Sequence, residues 1–97
     1  FFFDFEKMEF FREGVCLELS RTEQRLLRCL TQAPGRNISR GSLIDQVWQG
    51  ETEFVDDHAL TVAVNRLRGK LGEDQECIRT VYGTGYTWLG GHLEKKE

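Results

Sequence analysis

No part of the chain approaches the roughly 18 uninterrupted apolar residues that a membrane-spanning helix requires. The opening Phe1-Phe2-Phe3 meets Asp4 and Glu6 at once, so neither a span nor a secretion leader is expected there. Proline is nearly missing, with Pro34 alone, and no segment is repeated or of low complexity, which excludes collagen-like and solenoid architectures. Cysteine is scarce: Cys16, Cys29 and Cys77 are odd in number and far apart, with no C-x-x-C and no histidine at metal-ligand spacing. Three reduced thiols in a cytoplasmic protein are therefore expected, with no metal and no cofactor. A basic excess is also lacking, and the net charge of −3 has the wrong sign for an ordinary nucleic-acid binder.

What is present fits one small globular domain, because 97 residues cannot bury two cores, and 39% hydrophobic with 30% charged residues is an ordinary globular balance. Residues 1–90 are expected to form the domain and 91–97 a C-terminal tail. The chain starts without methionine inside a strand-like run, which reads as a fragment of a longer polypeptide. The distribution of charge says more than its sum. Carboxylates gather in the middle of the chain, whereas within 58–72 the charged side chains are Arg66, Arg68 and Lys70 and no carboxylate interrupts them.

Alternation over the first 19 residues predicts short antiparallel strands. Phe3 and Phe5 oppose Asp4 and Glu6, and Val15, Leu17 and Leu19 oppose Cys16 and Glu18. Turns are expected at residues 7–9 and 12–14. Ser20-Arg21-Thr22-Glu23 has capping-box spacing, and Leu26, Leu27, Leu30 and Ala33 follow at helical intervals until Pro34-Gly35. Ser39 is a second cap candidate, ahead of a short helix carrying Leu43, Ile44, Val47 and Trp48 and ending near Gly50. A polar, acidic loop over 49–55 leads to a third helix, in which Leu60, Val64, Leu67 and Leu71 form one narrow stripe and Gly72 marks the end. Two β-rich runs, 78–82 and 86–89, flank Gly83-Thr84-Gly85 and predict a hairpin. The fold class is α+β: a sheet, three helices and a terminal hairpin, in winged helix-turn-helix order.

With Leu60 at the centre of the buried face, steps of about 100° per residue set His58, Thr61, Val62, Asn65, Arg66 and Gly69 on the opposite half, with Arg68 at its border. Arg66 and Arg68 offer bidentate donors to guanine or to phosphates, Asn65 suits adenine, and Val62 suits a thymine methyl. Both arginines are expected to point away from the apolar stripe, into solvent or a major groove. On these residues alone, a merely solvated cationic face is the favoured reading.

Taken in order, several motifs resemble the C-terminal effector domain of OmpR/PhoB-family response regulators over about residues 2–90. They are Leu17-Glu18-Leu19-Ser20-Arg21-Thr22-Glu23, Ser39-Arg40, Val47-Trp48, Val55-Asp56-Asp57, Arg66-Leu67-Arg68 and Thr80-Val81-Tyr82-Gly83-Thr84-Gly85-Tyr86. The resemblance implies a four-stranded N-terminal sheet, a three-helix bundle and a C-terminal wing. It also implies sequence-specific binding of double-stranded DNA by two copies on tandem half-sites, and a receiver domain ahead of the segment. In terms of residues, it implies major-groove contacts from His58, Thr61, Val62, Asn65, Arg66 and Arg68, and backbone contacts from Arg40, Trp48, Lys70 and Thr80. Tyr82, Gly83, Thr84 and Gly85 would form the wing, and Glu51, Glu53 and Phe54 a contact with RNA polymerase.

Two departures stand out. Tyr82 occupies the place where members carry a wing arginine, and Ala63 and Gly69 stand where polar or basic side chains are usual, so fewer cationic contacts per monomer are expected. Catalysis is not expected, since Gly83-Thr84-Gly85 lies within a hairpin and no nucleophile-base grouping has motif support. Two alternatives remain open at this point: a winged helix that binds proteins instead of DNA, and the DNA-binding domain of a membrane-anchored regulator.

Overall fold

The computed structural model describes residues 2–49, 57–72 and 77–90. Strands β1 (Phe2–Asp4), β2 (Glu9–Arg12) and β3 (Val15–Cys16) precede helix α1 (Arg21–Thr31). Strand β4 (Asn37–Ser39), helices α2 (Arg40–Trp48) and α3 (Asp57–Leu71), and strands β5 (Ile78–Val81) and β6 (Gly85–Trp88) complete the order. The expected α+β winged helix-turn-helix arrangement is met. The described residues give the N-terminal sheet three strands in the order β1-β2-β3, where the resemblance implies four.

The first sheet departs from simple alternation. Phe3 and Phe10 pair across β1 and β2 and are buried, but Asp4 is buried as well. Its Oδ1 accepts from the Glu6 and Lys7 amides at 3.0 and 3.1 Å, so the carboxylate caps the turn instead of facing water. Val15, expected to point inward, is 66% exposed on a two-residue strand, while Leu17 and Leu19 pack against the core from outside any strand. The first turn lies at 5–8, earlier than the expected 7–9, and the second at 13–14, within the expected 12–14, with Met8, Glu13 and Gly14 at positive φ.

Helix α1 begins at the predicted capping box: Ser20 Oγ accepts from the Glu23 amide at 3.2 Å, and Glu23 Oε1 accepts from the Ser20 amide at 3.1 Å. Ser39 caps α2 as expected, accepting from the Ser42 amide at 3.1 Å, and the helix ends at Trp48 with Gln49 left-handed. On α3 the stripe Leu60, Val64, Leu67 and Leu71 is fully buried, each side chain contributing roughly 1.5–3 kcal/mol of apolar burial. These residues meet Leu26, Leu27, Leu30, Leu43 and Val47 in one core.

Strand β4 was not expected. It is three residues long, too short for alternation to register, and its partner lies far along the chain. It pairs antiparallel with β6, Ile38 opposite Tyr86, giving a second sheet in the order β4-β6-β5. Gly85 is required there: a Cβ would lie 1.9 Å from the Ile38 carbonyl oxygen. Trp88 is buried at the end of β6 with its ring 6.1 Å from that of Phe3, so the two sheets close over the core through aromatic contact.

Candidate nucleic-acid interface

Burial of the α3 stripe fixes what its other side can present. His58, Asn65, Arg66 and Gly69 are exposed, whereas Thr61 and Val62 are half-buried. Ala63, at a position where polar or basic side chains are usual, belongs to the core at 7% exposure and is not available to a ligand. Arg66 has neither a hydrogen-bond nor an ion-pair partner among the described residues, so its planar fork of donors is presented to solvent.

The other two cations of α3 are not free, which corrects the expected picture. Arg68 is half-buried and turned back onto the hairpin. Its Nε and Nη2 donate to the Ile78 carbonyl at 3.2 and 2.8 Å, and Nη2 also donates to Thr80 Oγ1 at 2.6 Å. Its place at the border of the outer face, together with a long stem, allows the guanidinium to reach the neighbouring strand instead of solvent. Lys70, expected on the DNA backbone, is bound to the carboxylate of buried Glu23, with Nζ 3.1 Å from Oε2 and closer still to Oε1. Burial pushes the Glu23 carboxyl up, but the Lys70 ammonium and the Ser20 donors outweigh it and hold the group below its usual range. This ion pair fastens the start of α1 to the end of α3.

Arg40, at the start of α2, donates from Nη1 to Tyr86 Oη at 2.8 Å and from Nη2 to Thr61 Oγ1 at 2.9 Å. The guanidinium carbons of Arg40 and Arg68 each lie 5.6 Å from the centroid of the Tyr86 ring. Tyr86, buried on β6, is thus a hub shared by α2, α3 and the hairpin. Sequence reasoning passed over it. Its partners lie 46 residues away in one case and on another element in the other, and no local spacing announces such a contact. Trp48 is half-buried and packs against the core, and Thr80 is exposed beside Arg68.

The hairpin turn holds Tyr82, Gly83 and Thr84, one residue out of step with the expected Gly83-Thr84-Gly85 link. Gly83 has φ +76°, and the Thr84 amide donates to the Val81 carbonyl at 3.0 Å. Asn37 Nδ2 and the Arg40 amide bind Thr84 from β4 and α2, at 3.1 Å in each case. Tyr82 stands at the tip, 98% exposed. Arg79, exposed on β5, is a further cation of the hairpin that the motifs did not single out. Glu51, Glu53 and Phe54 lie outside the described residues, as does the tail 91–97.

The arrangement is therefore a helix with one solvent-facing guanidinium flanked by an amide, an imidazole and a half-covered valine, beside a hairpin tipped by an exposed ring. Among the described residues, no grouping of three or more metal-ligating side chains is present and no helix is long and apolar enough to cross a membrane.

Residues 14–88 match the family model described as "Transcriptional regulatory protein, C terminal". The chain is similar to the transcriptional regulatory protein CseB of Streptomyces avermitilis, 44% identical over 87 residues that cover 86% of the chain and 34% of that protein. It is also similar to the phosphate regulon transcriptional regulatory protein PhoB of Pseudomonas aeruginosa, 41% identical over 75 residues that cover 76% of the chain and 32% of that protein. The chain thus spans about a third of the length of these curated relatives. Among solved structures, the DNA-binding domain of Bacillus subtilis CssR superposes with a TM-score of 0.77 at 29% identity, covering 88% of this chain and 94% of that one.

Proposed function

Because the chain belongs to the family of transcriptional regulatory protein C-terminal domains, we propose that it binds double-stranded DNA sequence-specifically and regulates transcription as the output domain of a response regulator. The observation that carries this reading is the outer face of α3, where Arg66 is exposed and unpartnered beside exposed Asn65 and His58. A bidentate arginine is the commonest reader of guanine, and an asparagine of adenine, once a helix lies in the major groove. Val62, partly covered by the protein, keeps enough surface to meet a thymine methyl. The hairpin reaches the neighbouring groove or backbone, led by Tyr82.

The backbone contacts fall to groups around the Tyr86 hub. Arg40 and Thr80 line the side of α3 that faces the hairpin, where a phosphate would meet cationic and hydroxyl donors. Lys70 serves the fold through Glu23, so we assign it no phosphate. The longer protein carries a receiver domain ahead of this segment and acts in the cytoplasm. Two copies occupy tandem half-sites, and the acidic stretch 49–55 meets RNA polymerase through Glu51, Glu53 and Phe54. Residues 1–90 constitute the DNA-binding unit and 91–97 its tail; the domain performs no catalysis.

The test is selection of bound sequences from random duplex DNA by the 97-residue chain, which should return a motif, repeated where two copies bind side by side. Affinity should fall with salt at a log–log slope of about −0.9 per phosphate neutralised. The net charge of −3 and the internal engagement of Arg68 and Lys70 favour one rival, a protein-binding winged helix. Recovery of no motif together with salt-independent association would establish that rival. Within the stretch 49–55, Phe54→Ala should lower transcription more than DNA affinity; equal losses would refute the polymerase contact.

A further inference from the structure

The hairpin is held from its two sides by different means. Its inner strand β6 is paired along β4, and its turn is tied to β4 and α2 through Thr84. Its outer strand β5 is a sheet edge, with backbone groups that no further strand pairs among the described residues. Arg68 supplies what the edge lacks. From the last turn of α3, its Nε and Nη2 donate to the Ile78 carbonyl, Nη2 donates to the Thr80 hydroxyl, and the guanidinium lies over Tyr86, as does that of Arg40. Three donations in one plane with one face on a ring use the shape of a guanidinium, which an ammonium cannot reproduce.

We propose that Arg68 is a positioning residue: by fastening the edge strand of the hairpin to α3, it presents Tyr82 to the duplex in a fixed relation to Arg66. The inference rests on the DNA-binding reading above, and it replaces the role of base reader that the sequence pattern alone gave Arg68. Two consequences follow from the geometry. The tip ring is uncharged, so its contribution to binding is contact with sugar or base and adds nothing to the salt slope. That contribution also depends on the hairpin angle, which Arg68 sets through β5, the strand that leads directly into Tyr82.

The experiment is a double-mutant cycle on a duplex selected by the wild-type chain, with affinity read by fluorescence anisotropy. Arg68→Lys is the principal variant, since it keeps the positive charge and an aliphatic stem while removing the guanidinium; Arg68→Ala accompanies it, with thermal melts to confirm folding. Tyr82→Ala is expected to cost about tenfold in the wild-type background, the size of one aromatic stacking contact. Arg68→Lys is expected to cost a similar factor, to leave the salt slope and the base preferences of α3 unchanged, and to leave Tyr82→Ala nothing further to remove. Losses that multiply to about a hundredfold in the double variant would overturn the proposal, because independent contacts add in free energy. Wild-type affinity in Arg68→Lys would overturn it too, since a phosphate contact tolerates a lysine point charge. A changed preference at one base pair would make Arg68 a base reader and have the same effect. Failure of the wild-type chain to select any duplex would remove both readings, whereas tight selective binding with multiplicative losses would remove this one alone.

Discussion

Replacing Glu23 by alanine should weaken the fold by an amount that its contacts allow to be worked out. The carboxylate completes the capping box of α1, and loss of that half of the cap costs about 1 kcal/mol. It also receives Lys70 from the end of α3; a charge-assisted bond is worth about 1.5–3 kcal/mol when buried, but the Lys70 side chain is 40% exposed, which brings this share to about 1 kcal/mol. The sum of about 2 kcal/mol corresponds to a fall in Tm on the order of 10 °C for a domain of this size. Glu23→Gln keeps an acceptor for the Ser20 amide and loses only the charge, so about half that shift is expected. The pH dependence separates the two contributions. Because the folded-state pKa of Glu23 is lowered relative to the unfolded chain, its stabilisation is fully present above the ordinary carboxylate range and is lost as pH falls through the lower folded value. Urea unfolding followed by circular dichroism should therefore show wild type and Glu23→Gln separated at pH 7 and converging in acid. A Tm of Glu23→Ala within about 2 °C of wild type, or a gap that persists unchanged at low pH, would refute the reasoning.

Other outcomes follow from the same contacts. Gly85→Ala should cost about 3 kcal/mol and speed amide exchange in β4 and β6, because its Cβ would meet the Ile38 carbonyl oxygen at 1.9 Å; native-like protection there would contradict the close approach. Arg66→Ala should change stability by less than about 0.5 kcal/mol, as expected for an exposed side chain without a partner, while DNA affinity falls by about tenfold or more. A thiol reagent should modify exposed Cys16 first and buried Cys77 only on unfolding, since burial raises the Cys77 pKa and closes access to it. Equal rates at the two thiols would contradict the described core.

The elements written into short stretches of sequence were the legible ones. The Ser20–Glu23 box sits within four residues, and the α3 stripe repeats over three turns, so both could be read from spacing. The hairpin was marked by its glycines, with an error of one residue in the turn. What escaped depends on contacts across the chain. Strand β4 exists because β6 is there to pair with it. Angles on a helical wheel place a Cα, yet the heads of Arg68 and Lys70 sit at the ends of long stems. They went to Ile78 and Glu23, 10 and 47 residues away. Of the three cations that marked α3 as a reading helix, Arg66 alone keeps its donors free among the described residues. Asp4 escaped for a related reason: its place in the alternation pointed outward, but two turn amides drew it in.

The central claim, that the outer face of α3 and the hairpin tip meet DNA, is tested most directly by mapping amide and side-chain chemical shifts of the chain during titration with a selected duplex. The largest changes are expected at His58, Val62, Asn65 and Arg66 and at Tyr82, with the α1 arginines Arg21 and Arg28 undisturbed. Shifts concentrated on α1 or on the N-terminal sheet, with α3 silent, would contradict it.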